Sequence, residues 1–320
     1  MVRPVTHRTK GYRNHPSAAA GCAPPRTPLV AALLALSGCV DAGVLSPQGP
    51  VGAAEKTILL NSLGIMLAIV IPTIIATLGV AWWFRASNTK AHYRPDWEYS
   101  GKIELVVWAI PAMVVLLLGG IGWVSSHDLD PPKPLASPVK PVNVEVVSLD
   151  WKWLFIYPDQ GIASVNRLVA PVGTPVSFRL TSATVMNSFF VPQLGSQIYT
   201  MAGMTTRLNL QADKPGRYDG LSAQFSGDGF SGMHFTYDAV SQSEFDSWVA
   251  AAKQQGPALD AAGYAALNRE SKDVKPFTYS RVAPGLFNSI VAMRAPPAET
   301  PHMGRPNAAV SPRTPAGTEG

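Results

Sequence analysis

From Thr57 to Phe84 the chain reads TILLNSLGIMLAIVIPTIIATLGVAWWF, 28 positions between Lys56 and Arg85 without an ionisable side chain. A second uncharged run, LVVWAIPAMVVLLLGGIGWVSS, fills the 22 positions between Glu104 and His127. As helices these are about 42 Å and about 33 Å long, against a hydrocarbon core of roughly 30 Å. Paired core helices of a soluble protein would carry polar residues at helical spacing, and these runs do not. Both are predicted to span a membrane, as residues 57–84 and 103–126. Pro72 and Pro111 fall inside them, where membrane helices tolerate proline. Trp82, Trp83 and Trp123 stand at their ends, where an aromatic belt belongs.

Beyond the second run the period changes. Residues 127–141 contain PPKPLASPVKP, five prolines in eleven positions, which reads as a stiff extended linker. Val142, Val144 and Val146 then alternate with Asn143 and Glu145, and Trp151, Trp153, Phe155 and Tyr157 follow at spacing two. Further strands are expected at Val176–Thr181, Ser188–Val191, Thr205–Gln211, Leu221–Phe225 and His234–Val240, with Gly and Pro between them. Such short strands predict an antiparallel β-sandwich with Greek-key connections over 142–240. Helical periodicity returns only at Ser243–Gln255, inside an aromatic-rich extension (241–295) expected to pack on the sandwich. Residues 296–320 are Pro-rich and aperiodic and read as a disordered tail.

Charge refines this picture. The total of 26 Lys+Arg against 21 Asp+Glu gives +5. Arg3, Arg8, Lys10, Arg13 and Arg26 precede position 39 with no acid among them, so the remainder balances at 21 of each sign. A nucleic-acid partner therefore loses its electrostatic basis. The basic leader (1–38) ends in the apolar stretch LVAALLAL followed by Ser37-Gly38-Cys39, a secretory signal with the look of a bacterial lipobox. Cys39 is the expected lipidation site, ahead of a short exported segment, 39–56. Cys22 lies in the leader, so a chain processed at Cys39 holds no free thiol for a disulfide. With the amino terminus exported, loop 85–102 is cytoplasmic, and its Arg85, Lys90, Arg94 and Lys102 agree with the positive-inside rule. The reading is an inner-membrane protein with two helices, both termini and the β-domain on the periplasmic side.

Lipobox, helix hairpin, proline linker and sandwich together resemble subunit II of haem-copper terminal oxidases, in particular the cytochrome bo-type ubiquinol oxidases. The segments carrying the match are 102–108 (KIELVVW), 147–153 (VSLDWKW), 185–192 (VMNSFFVP), 195–199 (GSQIY), 201–204 (MAGM) and 230–233 (FSGM). The resemblance covers roughly residues 36–293. It implies a cupredoxin-like sandwich and a role as a subunit of a proton-pumping ubiquinol oxidase. It also implies a haem- and copper-bearing subunit I and the other oxidase subunits as partners, the bilayer as surroundings, and ubiquinol as the complex's substrate.

In the cytochrome c oxidase branch this domain holds a dinuclear copper centre on a C-x-E-x-C-x-x-x-H-x-x-M loop and an earlier histidine. Laid on residues 224–236, that pattern puts Phe225 and Gly229 at the cysteines and Gly227 at the glutamate. Met233 falls at the histidine, Thr236 at the methionine, and Asn187 at the earlier histidine. Soft thiolates and imidazole are what such a centre requires, and every ligand position is vacant. His234 is one place off, and adjacent strand residues point to opposite faces. This chain is therefore expected to bind no metal or cofactor and to receive no electrons from cytochrome c. Trp151, Trp153 and the Met201/Met204 pair are expected to pack, with loop 225–235 filling the space of a metal. Asp150 and Lys152 are expected to face a partner or solvent.

Glu104 opens the second helix. From the residues alone it is either a proton-path group or a helix N-terminal acid stabilised by the dipole. The resemblance, through Lys102-Ile103-Glu104, implies the mouth of a proton channel into subunit I. Two other readings stand beside this one: a cytochrome c oxidase subunit with a degenerate copper site, and a membrane-anchored cupredoxin-like lipoprotein serving as a binding or assembly module.

Overall fold

The structure, a computed structural model, describes residues 43–92 and 94–295. The leader with Cys22 and Cys39 and the segment 296–320 lie outside the described residues. Helix α1 spans Pro50–Trp83 and helix α2 spans Gly101–Asp128. Both are longer than their uncharged stretches. Pro50 takes the first helical position, which suits a residue without an N–H, and α1 begins seven residues ahead of Thr57. Along both helices the apolar side chains are open to their surroundings, and both are long and apolar enough to cross a membrane.

The sandwich begins with β1 (Val142–Leu149), β2 (Lys152–Tyr157), β3 (Ile162–Val165) and β4 (Arg167–Pro171). It continues with β5 (Val176–Ser182), β6 (Asn187–Phe190), β7 (Ile198–Thr200), β8 (Thr206–Leu210), β9 (Gly216–Ser222) and β10 (His234–Val240). The extension adds α3 (Gln242–Gln254), β11 (Ala258–Leu259), α4 (Ala261–Leu267), β12 (Phe277–Tyr279), β13 (Arg281–Val282) and α5 (Leu286–Val291). One sheet runs β12-β3-β2-β1-β5-β8 and the other β4-β10-β9-β6-β7.

The sandwich is not antiparallel throughout. Strands β1 and β5 are parallel, with Val144 beside Phe178, and β10 and β4 are parallel, with Thr236 beside Arg167. The chain switches sheets between β3 and β4, at Asn166 in the left-handed region (φ 53). A strand that returns after visiting the opposite sheet can arrive in the same direction as its neighbour. The strand expected at Leu221–Phe225 lies at Gly216–Ser222. Its middle carries Gly220 instead of an apolar side chain, because the Phe235 ring rests on that backbone and would collide with any Cβ.

Two hydrophobic clusters flank the six-stranded sheet. The inner one joins Trp151, Trp153, Phe155 and Tyr157 to Phe178, Phe189 and Phe235, with the Phe189 and Phe235 rings stacked at 4.9 Å. The outer one packs Val147, Leu149, Leu154 and Ile156 against Tyr264, Leu267, Phe287 and Ile290 of the extension. The extension thus converts a one-faced sheet into a doubly covered one, and β2 is buried along its whole length. Helix α3 caps the inner core with Phe245 and Ala252. Its Ser241–Glu244 capping box closes the first turn.

The outer ends of the hairpin are bonded to the sandwich. Gln48 N–H donates to Gln193 O (2.8 Å) and Gly52 N–H to Leu194 O (3.1 Å). The Ser196 hydroxyl donates to the Glu55 carboxylate. A Cβ on Gly49 would collide with Gln211 O, so the backbones meet directly there. After α2, the Asn209 amide donates to the carbonyls of Pro131, Pro132 and Lys133 at 3.1–3.2 Å. The proline linker is thus fastened where it starts.

Candidate functional site

The loop between β9 and β10 occupies the end of the sandwich where the sequence placed the vacated ligand positions. Gly227 adopts φ +101 and Gly229 precedes a 3₁₀ turn over Phe230–Gly232. The loop folds around one indole. Trp151, itself left-handed (φ 73) and 3% exposed, donates Nε1–H to Ser226 O at 2.9 Å. A Cβ on Gly229 would meet the ring carbons Cγ and Cε3 at 2.5 Å, and one on Gly227 would touch Cζ2 at 3.4 Å. The close approach of the ring demands glycine at 229, and the left-handed backbone favours it at 227.

The other predicted positions divide. Asn187 is 1% exposed, and its Oδ1 accepts from Ser222 Oγ (3.0 Å) while its Nδ2 donates to Val185 O (3.3 Å). Met233 is buried, with its sulfur 4.0 Å from Ser226 Oγ. Phe225 is 72% exposed and meets Phe230 edge-on at 5.6 Å. Thr236 leaves the group. Phe235 and Tyr237 are in the core, so strand alternation puts Thr236 on the opposite face, in a shallow pocket with Asn166, Asp219 and His234. His234 is exposed, and its Nε2–H donates to Ser231 O (2.8 Å).

These residues do not fit a dinuclear copper centre. The would-be donors are amide, thioether, phenyl and bare backbone, and the indole fills the loop's interior. Among the described residues no cluster of three or more His, Cys, Asp or Glu is placed to hold a metal ion.

Two expectations are corrected here. Lys152 faces neither solvent nor partner. It is 1% exposed, and its Nζ donates to Asp150 O (3.0 Å), Arg269 O (2.7 Å) and Ser271 Oγ (2.8 Å). Burial pushes its ammonium down to about 8, against the opposing pull of Asp150 and Glu270. The extension, expected to pack on the sandwich, supplies the cover at this position through Arg269 and Ser271. Asp150 is half-buried and accepts from Thr184 Oγ1 at 2.6 Å. Met204 is not core either: it is 53% exposed, because the turn at Gly203 (φ +75) lifts it off the sheet. Glu104 sits, as expected, in the first turn of α2, exposed, with its N–H donating to Ser100 O (3.0 Å).

Sequence reasoning missed Asp238, buried between Arg167 (2.7 Å) and Arg217 (3.0 Å). The i, i+2 alternation on β10 would have placed it outside the core.

Residues 157–240 match the family described as cytochrome C oxidase subunit II, periplasmic domain, and residues 253–297 match the COX aromatic rich motif. Cytochrome bo(3) ubiquinol oxidase subunit 2 of Pseudomonas aeruginosa is 51% identical over 262 residues, 82% of this chain and 79% of that one. Ubiquinol oxidase subunit 2 of Acetobacter aceti is 51% identical over 261 residues, 81% of this chain and 84% of the relative. The chain belongs to the ubiquinol oxidase subunit 2 family. A solved periplasmic domain of cytochrome oxidase subunit II from Bradyrhizobium japonicum is 26% identical, with TM-score 0.35, covering 37% of this chain and 98% of that domain.

The membership accounts for the order of parts: two apolar helices, a cupredoxin-like sandwich, then the aromatic-rich extension. The loop residues facing Trp151 all lie within the matched sandwich, whereas Trp151 and Lys152 precede it and the residues that bury Lys152 belong to the aromatic-rich motif.

Proposed function

We propose that this chain is the membrane-anchored second subunit of a proton-pumping ubiquinol oxidase and carries no electrons itself. Its relatives are named as subunits of ubiquinol oxidases, which supports the substrate. The observation carrying the non-redox role is the seating of Trp151 on Gly227 and Gly229, which leaves the loop neither donors nor room for copper. Ubiquinol then delivers its electrons to haem and copper in subunit I, where dioxygen is reduced to water. Cytochrome c has no acceptor on this chain.

Within this reading the two helices pack on subunit I, and the sandwich, fastened to both helix ends, stands as a fixed cap on the periplasmic side. Glu104 supports a proton-uptake role through its place in the first turn of a membrane helix, where a carboxylate is close to the water boundary and can pass a proton inward. Cys39 carries the lipid anchor ahead of α1, and residues 85–102 form the cytoplasmic loop.

The test is to purify the complex through this chain and measure oxygen uptake. Ubiquinol should drive it, reduced cytochrome c should not, and the only copper should be that of the haem-copper centre. Additional copper with a near-infrared band would revive the cytochrome c oxidase reading. A chain that purifies alone, without haem-bearing partners, would support the separate binding module.

A further inference from the structure

Residues 269–274 lie across the loop end of the sandwich, anchored at successive points. Arg269 O and Ser271 Oγ accept from Lys152 Nζ, and Ser271 N–H donates to Asp150 O (3.3 Å). The Lys272 ammonium stands 5.3 Å over the Trp151 ring. Asp273 lies against Gly232, where an added Cβ would come within 2.7 Å of its Oδ1. Val274 O accepts from the Asn166 amide at 2.8 Å. The indole is therefore held between glycines of the loop and the cation above it.

Three further observations converge on this contact. Four non-glycine residues among those described have φ in the left-handed region, and Trp151, Asn166 and Asp273 are three of them. Such conformations persist where surrounding contacts over-determine them. Arg269 and Lys272 are exposed, so their place is fixed by the backbone and not by burial of their side chains. Lys152, by contrast, has each ammonium proton matched to an oxygen, and none of the three acceptors is a carboxylate. It ties the strap through these three bonds.

We propose that residues 269–274 form a strap that closes the loop end of the domain over Trp151, with Lys152 as its positioning residue. The Lys152 side chain joins the turn before β2 to a distant segment through its hydrogen bonds to Asp150 O, Arg269 O and Ser271 Oγ. A protein approaching this end of the domain meets the strap, not the indole. The proposal stands on these contacts alone and does not depend on the route of the electrons.

Arg269 and Lys272 make the test direct, since trypsin cuts after both only when the backbone loosens. The assembled complex in mild detergent is digested and cleavage at the two positions is followed by mass spectrometry. In Lys152→Met both sites should be cut at least ten-fold faster than in the unsubstituted complex, with cleavage after Arg207 and Arg217 unchanged. A disulfide between Gly232→Cys and Asp273→Cys, added to Lys152→Met, should return the rate to within about three-fold of the unsubstituted one. Ser271→Ala, which removes one acceptor, should give a smaller acceleration and carries the test if Lys152→Met does not accumulate. An unchanged rate in both single variants overturns the proposal. So does acceleration spread evenly over all sites, or failure of the disulfide to protect.

Discussion

The seating of Trp151 on Gly229 can be tested by adding one methyl group. Gly229 has φ −94 and ψ 5, which alanine adopts without backbone strain, so Gly229→Ala isolates the contact. The new Cβ would lie 2.5 Å from Cγ and Cε3 of the indole, where ordinary contact begins near 3.4 Å. The ring must withdraw by roughly 1 Å from a well-packed site, an overpacking that costs about 1–3 kcal/mol. Trp151→Ala removes the ring and its bond to Ser226 O and should cost about 3–5 kcal/mol. In the double variant the clash has no partner, so the alanine at 229 should cost almost nothing. Hydrogen exchange of residues 225–233 in the intact complex reads these costs as local opening free energies. Exchange should rise about 5- to 150-fold in Gly229→Ala, and by less than about two-fold when the same change is made in Trp151→Ala. If the two effects simply add, the loop is not built on the indole and the account of the filled site fails.

Further outcomes follow from the same contacts. Lys152 is lowered from 10.5 to about 8 when docked, so the docked strap binds fewer protons between those values. Its docking should tighten as pH rises from about 8 to about 10.5 and be flat below 8. Hydrogen exchange across 269–274, corrected for its intrinsic rate, should show that slope, and Lys152→Met should abolish it. Glu104→Gln should lower ubiquinol-driven oxygen uptake several-fold with haem content unchanged; equal turnover would remove Glu104 from the proton route. Asn209→Ala frees the carbonyls of Pro132 and Lys133, leaving Pro131 O its bond from the Asn209 backbone N–H, and should loosen that segment by about 1–3 kcal/mol, seen as faster exchange over 129–135. Cys39→Ser should abolish incorporation of labelled fatty acid while the complex still assembles.

The helices were legible because an uncharged run longer than the bilayer is thick leaves few alternatives. The positions of β5 and β10 were legible because their side chains alternate over part of their length. Parallel pairing was not, since alternation along one strand carries no information about the direction of its neighbour. The register of β9 was hidden by Gly220, where the packing surface is supplied by Phe235 from the adjacent strand. At the site, the vacated ligand positions were readable as an absence of Cys and His in a motif. What fills the space was half readable. The loop glycines and Trp151 were both noticed, but nothing in the local sequence joins position 151 to position 229. Lys152 was misplaced for a related reason: a lysine at alternating spacing looks exposed until a segment some 117 positions away covers it.

The bonds at the start of α1 also set an order of events during synthesis. Glu55 and Ser196 are 141 positions apart, and Gln48 and Gly52 depend on Gln193 and Leu194 in the same way. At roughly 5–20 residues per second, the ribosome needs about 7–30 s to supply these partners after the first helix has emerged. The first helix therefore enters the bilayer with its leading turn unfinished, and completes it only when the sandwich has been delivered and folded. A lesion deep in the β-domain would leave that turn open at the membrane surface.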